Sequence, residues 1–408
     1  MNNNELMPLK GIKVLELATV VAAPTAARIL CSYGADVIKI ESLSGDDMRR
    51  AGISEGVVCE DNKNPLFSVA NTGKKLIAVN LKSKEGKEIF HKLIAQADVF
   101  ITNVRGASLK RLGIDYDSIH EQYPKLIYAH FSAYGQKGPD SSLPGFDSTA
   151  FWLKSGPIAD WMTGPRPFTP TYAFGDMATS SAFTSGILMA LLGRERSGKG
   201  TFVTTSLYAS GIWCNAIRVI AAQAEQTEDV DKVTDYLPAD PLSDTYCCKD
   251  GVWLGVYDNE YCRDRDKFAR ILNFPQLAED PRYVSLDALR SSGAMRECYE
   301  RLKQIFASKT ASQWQEYLSS ENVACQVACS ADSVSRDVQA IENGYVSKCD
   351  FSDGLSMMLP EPPVTFGDYS RRISVSVGRL GEHTDEVLAS IGYSEMERSN
   401  LRQNGIII

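Results

Sequence analysis

Through the first 135 positions, short strand-like apolar runs alternate with segments of helical spacing. Ile12 to Leu17 reads as a strand, and a turn at 20–24 leads to a helix over 26–33 that Gly34 ends. Pro24 stands near the first helical position, where its missing N–H costs nothing. A second strand covers 36–41. It is followed by a polar, irregular stretch over 42–65 and a turn at 71–75. The strand at 76–81 precedes a helix over 83–97, with Ile89, Phe90, Leu93 and Ile94 inward and Glu85, Lys87 and Glu88 outward. Strands at 98–102 and 126–131 flank a turn at 103–106 and a helix through Leu109 and Leu112. This alternation predicts an α/β fold, a Rossmann-like domain with a mostly parallel, helix-covered sheet. The glycine- and proline-bearing segments 135–146 and 156–170 are predicted as loops, the first of a kind that carries ligands.

The rest of the chain is arranged around Thr171 to Leu207. The apolar run Tyr172, Ala173, Phe174 stops at Gly175, and Asp176 follows. A helix of small residues then places Phe183, Ile187, Leu188 and Leu191 on one face, predicted buried. Asp176 is expected at the helix start as an N-cap, where amide groups and the dipole favour its ionised form. Gly175 removes a side chain beside it, so that another molecule can come close. Residues 202–207 alternate like a strand or an extended edge, and 208–224 read as one helix. The polar span 225–229 is a candidate linker. Beyond it the pattern changes to a strand pair at 245–248 and 252–256, then helices at 263–272, 286–309 and 311–319. This predicts a smaller α+β domain. The expected division is 1–225, 226–335 and a return segment, 336–408, that completes the large domain.

Composition narrows the function. Acidic residues outnumber basic ones by 51 to 43, a net charge of −8 that argues against a nucleic-acid partner. Ten scattered cysteines form no CxxC pair, and only four histidines are present, so no metal site is expected. Free thiols suit a reducing cytoplasm. The first residues hold no apolar signal core, and no run is long enough to span a membrane, so a cytoplasmic location is expected. The β-α-β unit ending at Glu41 suggests a dinucleotide fold, but no glycine lies between Leu17 and Ala26, and backbone cannot close on a pyrophosphate in the usual way. Spacing alone makes Asp176 a capping residue.

Several segments give it more. They are PLKGIKVLELA from Pro8, GADVIKIE from Gly34, NTGKKLIAVNLKSKEG from Asn71, ADVFITN from Ala97 and LGEHTDEVL from Leu380. Gly175-Asp176 is followed by Arg194-Glu195-Arg196, Ser197-Gly198-Lys199-Gly200 and Val203-x-x-Ser206-Leu207. Together they resemble the family III CoA-transferases, nearly end to end. Within that family the look is nearest to the clostridial 2-hydroxyacyl-CoA transferases of amino-acid fermentation. The resemblance implies that Asp176 is the nucleophile, with Gly175 and Asp147 in support. It implies CoA contacts at Val20, Lys82, Asn103, Val104, Arg111 and Leu112, with Lys82 and Arg111 on phosphates and Val104 and Leu112 flanking the adenine. The family's formyl-CoA branch has an arginine where this chain has Ser42, and Arg49, Arg50 or Arg105 are the candidates to replace it.

For the acyl group, the resemblance implies a pocket at Val21, Ala22 and Phe146. Val21 stands where the family has glutamine, which points to a larger, less polar acid such as 2-hydroxyisocaproate or phenyllactate. That branch's glycine-rich flap is not visible near 257–262, and Ser180 replaces a family glycine. CoA is implied as a co-substrate with no permanently bound cofactor. The implied partners are an acyl-CoA and a small carboxylic acid, and the implied assembly is an interlocked homodimer. Two other readings stay open. One is the related racemases, whose Gly-His-Asp motif is Gly145-Phe146-Asp147 here. The other is an acyl-CoA-binding protein without turnover.

Overall fold

The apolar runs of the first half become six parallel strands in the computed structural model, which describes residues 6–51, 56, 57, 59, 60, 63–161, 168–224, 236–257, 259–351 and 354–408. They are β1 (Lys13–Leu17), β2 (Asp36–Glu41), β3 (Lys75–Ala78), β4 (Val99–Thr102), β5 (Ile127–Ser132) and β6 (Phe202–Ser206). Their order across the sheet is β3-β2-β1-β4-β5-β6. Successive strand residues point to opposite faces, so each run feeds two cores. Val14, Val99, Ile101, Ile127, Ala129 and Phe131 pack on one side, while Leu15, Phe100 and Tyr128 pack on the other.

The first side is covered by α1 (Ala22–Ser32), and by a long helix, Phe174–Ser197, labelled α5 below. The second is covered by α2 (Lys84–Ile94) and α3 (Gly106–Leu112). Between α3 and α5 lies a wide turn of π-helix, α4 (Asp147–Leu153). Helix α2 shows why local sequence is enough at such places. Ser83 Oγ accepts from the Gly86 amide at 3.0 Å and caps it. A Cβ on Gly86 would lie 2.1 Å from the Asn80 carbonyl, so only glycine fits.

Several details depart from the sequence reading, three of them within its longer helices. Leu188 is exposed, while Phe183, Ile187 and Leu191 are buried as expected. The helix read over 208–224 is two, α6 (Leu207–Cys214) and α7 (Ala216–Ala224), separated at Asn215, whose amide reaches the Ser155 carbonyl at 3.3 Å. The helix read over 286–309 divides at Gly293, which has φ +75°.

The described residues fall into two compact units. The first holds those up to 224 and those of Asp337–Ile408. The second, 236–336, pairs an antiparallel sheet of β7 (Asp244–Cys247), β8 (Trp253–Val256) and β9 (Cys325–Val327) with helices around Phe268, Leu302, Phe306 and Trp314. The candidate linker 225–229 lies outside the described residues, as do 162–167 of the connector before α5. The return segment is bound firmly into the first unit. Buried Arg28 on α1 donates to Glu361 Oε2 at 3.1 Å and to Ser374 Oγ at 2.7 Å. Among the described residues no helix is long and apolar enough to cross a membrane.

Candidate active site

Strand order reverses between β1 and β4, whose next neighbours lie on opposite sides. A crevice outside the carboxyl ends of the strands at such a point is where open α/β sheets bind ligands. A cleft of about 560 Å³ opens there. Residues 19–22 after β1, 103 and 105–107 after β4, and the loop 135–146 after β5 contribute to its wall, and Asp176 reaches it from α5.

Helix α5 starts earlier than the sequence suggested. Ala173 precedes it at φ +61°, and no side chain caps it. Asp176 is therefore its third residue and not its N-cap. Among the described residues no donor or cation reaches its carboxylate. Burial, with Asp147 adding a like charge, raises its pKa to about 7. The expected stabilisation of the ionised form by the helix start is outweighed. Desolvation acts on the whole charge, whereas the dipole offers a fraction of one.

Gly175 also works differently from the expectation. A Cβ there would lie 2.3 Å from Asp147 Oδ1 and 2.3 Å from Phe151 Cγ. The space serves the chain's own α4, not an incoming ligand. The Gly175 amide donates to both carboxylate oxygens of Asp147, at 3.1 and 3.2 Å, so it is not available to a reaction oxyanion. Asp147 is buried, and burial, opposed by that amide, raises its pKa to about 6. The hydroxyls of α5 close on their own helix. Thr179 donates to the Gly175 carbonyl at 2.7 Å, and Ser180 to that of Met177 at 2.7 Å. Ser180 is thus accommodated where the family has glycine.

Of the other residues singled out by resemblance, Val20, Val21, Ala22, Asn103 and Phe146 line the cleft. Asn103 clamps the β1 turn, accepting from the Thr19 amide at 3.0 Å and donating to the Thr19 carbonyl at 2.7 Å. Lys82, Val104, Arg111 and Leu112 are not in the lining. Lys82 and Arg111 are exposed, the latter held by Ser108 Oγ at 2.8 Å. Leu112 packs into the second-side core. Arg49 is committed to Glu41 through Nε and Nη2, each at 2.8 Å, and Arg50 pairs with Asp47, but Arg105 lines the cleft.

His130 was missed. It sits in β5 and lines the cleft, with Nε2 2.9 Å from the Val104 carbonyl and Nδ1 2.9 Å from Gln136 Nε2. Burial lowers its pKa, and its two partners suit a neutral ring that donates through Nε2 to the carbonyl and accepts at Nδ1 from the amide. The signal that would have found it is its place near the end of a strand beside the switch point.

A second group of charges lies beneath the β1 turn. Lys39 Nζ is 2.9 Å from Glu16 Oε1 and 2.9 Å from Asp46 Oδ2. Lys74 Nζ is 2.6 Å from Glu16 Oε2. With Glu41 and Arg49 they form a buried set of three acids and three bases. Burial alone would lower the Lys39 pKa, but Glu16, Asp46 and Glu41 outweigh it. Burial prevails at Lys74 and takes it down to about 8. Among the described residues no group of three or more His, Cys, Asp or Glu side chains is placed to hold a metal ion.

An open parallel sheet of this order, with an unpaired carboxylate in the crevice at its switch point, defines a Rossmann-type α/β enzyme. The chain belongs to CoA-transferase family III, whose model matches residues 9–384. It is 34% identical over 402 residues to the (R)-2-hydroxy-4-methylpentanoate CoA-transferase of Clostridioides difficile, covering 98% of this chain and 100% of that one. It is likewise 34% identical to the cinnamoyl-CoA:phenyllactate CoA-transferase of Clostridium sporogenes, covering 99% and 98%. The crystal structure of Rv3272 from M. tuberculosis superposes with a TM-score of 0.80 at 25% identity, covering 94% of this chain and 100% of that one.

Proposed function

We propose that this enzyme moves CoA from an acyl-CoA to a 2-hydroxy acid through covalent intermediates on Asp176. The observation that carries the reading is a carboxylate lining the cleft with no cation or donor among the described residues to quench it. An Asp176 oxygen attacks the thioester carbonyl carbon, the C–S bond breaks and CoA leaves as thiolate, giving a mixed anhydride. The thiolate then attacks the aspartyl carbonyl and releases the donor acid as its carboxylate. The acceptor carboxylate displaces thiolate from the aspartyl thioester, and thiolate attacks the acceptor acyl carbon of the new anhydride. Asp176 is regenerated, and no net proton is exchanged. Anhydride and thioester are both reactive acyl donors, so the acyl energy is kept as long as water stays out.

Asp147 holds the Gly175 amide and so fixes the backbone that presents Asp176. Arg105 supplies positive charge for the phosphates of CoA in the cleft, and Lys82 and Arg111 lie outside it for the rest of that long ligand. CoA is a co-substrate, not a resident group. Val21, Ala22, Leu143 and Phe146 give the acyl end an apolar wall, which suits a branched or aromatic 2-hydroxy acid, as do the substrates named for the two clostridial relatives. Such exchange belongs to cytoplasmic amino-acid fermentation. The working unit in this reading is an interlocked homodimer. Its support is an uncovered apolar face on α6 and α7, where Trp213 is 80% and Ile217 87% exposed.

A racemase would need a proton-carrying side chain at position 146, and Phe146 cannot provide one. Incubating one acyl-CoA with a panel of acids and reading the CoA products by mass spectrometry tests the proposal. New esters of 2-hydroxy acids, and a hydroxylamine-trapped adduct at Asp176, are expected. Loss of optical activity without exchange, or binding without an adduct, would overturn it.

A further inference from the structure

The β1 turn contains a valine in a conformation that valine avoids. Val20 has φ +69°, and a β-branched residue there is a true outlier, costing energy unless its surroundings impose it. The same residue lines the cleft, beside Val21 and Ala22 and together with Asp176. What holds it is visible. The Val20 amide donates to Asp46 Oδ1 at 3.0 Å, and Thr19 is gripped by Asn103. Asp46 is only 1% exposed and is held on several sides. Its Oδ1 also accepts from the Met48 amide at 3.0 Å, its own amide donates to Glu41 Oε2 at 3.0 Å, and its Oδ2 faces the Lys39 ammonium at 2.9 Å.

We propose that Asp46 is a positioning residue for CoA-ester binding, holding Val20 in the left-handed conformation that shapes this wall of the cleft. The inference rests on the transferase reading only where it speaks of CoA esters; the strained turn stands without it. The buried lysine behind Asp46 is then part of the site's scaffold. Without the anchor, Val20 would relax to negative φ and redirect its side chain and the following backbone, which leads into α1.

Two experiments test this. The first compares Val20→Gly with Val20→Ala. Both remove the side chain, but only glycine is at ease at φ +69°. At an ordinary position alanine is the more stable; here the glycine variant is expected to melt higher, by about 2 °C. An alanine variant as stable or more so would overturn the inference. The second measures CoA transfer. Asp46→Ala is expected to raise KM for the CoA ester about tenfold with a much smaller change in kcat, and Asp46→Asn, which keeps an oxygen for the Val20 amide, to raise it far less. An unmoved KM, or an equal rise in both variants, would sink the proposal. Should Asp46→Ala not fold, Asp46→Ser, whose shorter side chain draws back from the Val20 amide, takes its place with the same expected rise in KM. A parent enzyme without transfer activity whose glycine variant melts higher would refute the transferase reading and leave the positioned turn standing.

Discussion

Two groups of carboxylates lie near the switch point of one sheet, and they are treated in opposite ways. Glu16, Glu41 and Asp46 are fully buried, and each has a buried cation within 3 Å. Asp147 and Asp176 have no cation among the described residues and are held as a pair of like charges, with pKa values raised to about 6 and about 7. Acids that are neutralised in this way build the wall. Those left unpaired keep the basicity that a nucleophile needs at neutral pH.

Breaking the contrast at its reactive end has the largest expected effect. Asp176→Asn should lower kcat for CoA exchange by at least about 10³-fold and abolish the hydroxylamine-trapped adduct, because the amide cannot form the anhydride. Next is the paired end. Glu16→Gln leaves Lys39 with Asp46 alone and Lys74 with no acid in contact, and should destabilise the first unit by about 3–5 kcal/mol in urea unfolding.

The same Asp176→Asn change should have the reverse effect on stability. With its pKa raised, the folded chain binds this proton more tightly than the unfolded chain does. The charged form therefore weighs against folding above pH 7, and the penalty fades as pH falls toward about 4. The variant should be more stable than the parent by about 2 kcal/mol near pH 8 and gain nothing near pH 4. The smallest effect sharpens the comparison. Acylation from a CoA ester should rise with pH through about 7 and then level. Asp147→Asn, which keeps an oxygen for the Gly175 amide but removes the like charge, should move that limb down by about half a unit. A limb that stays in place would leave burial as the whole cause.

Much of the fold was legible because its signals are local. Alternation of apolar runs with helical spacing gave the parallel sheet, and Ser83 and Gly86 mark the start of α2 within four residues. Asp176 was legible as a candidate through the family resemblance of its contiguous Gly-Asp motif, since spacing alone made it a cap. Less legible were its neighbours. Asp147 is 28 positions upstream of Gly175, yet bonds to its amide, and His130 reaches the Val104 carbonyl from a strand away. Gly175 was expected to admit a ligand, and Arg49 was a candidate for a phosphate. Both are used up by the chain itself, at contacts that spacing does not reveal.

By itself, the sequence determined which segments form strands and helices, and that an aspartate follows a glycine at the head of a helix of small residues. Only the tertiary structure decided which charges are neutral pairs and which are bare. It also decided that Val20 takes a conformation foreign to valine and that Asp176 holds its proton up to about pH 7. The reason is physical. Periodicity is a property of neighbours along the chain, whereas desolvation and Coulomb energy depend on what stands within a few ångströms in space.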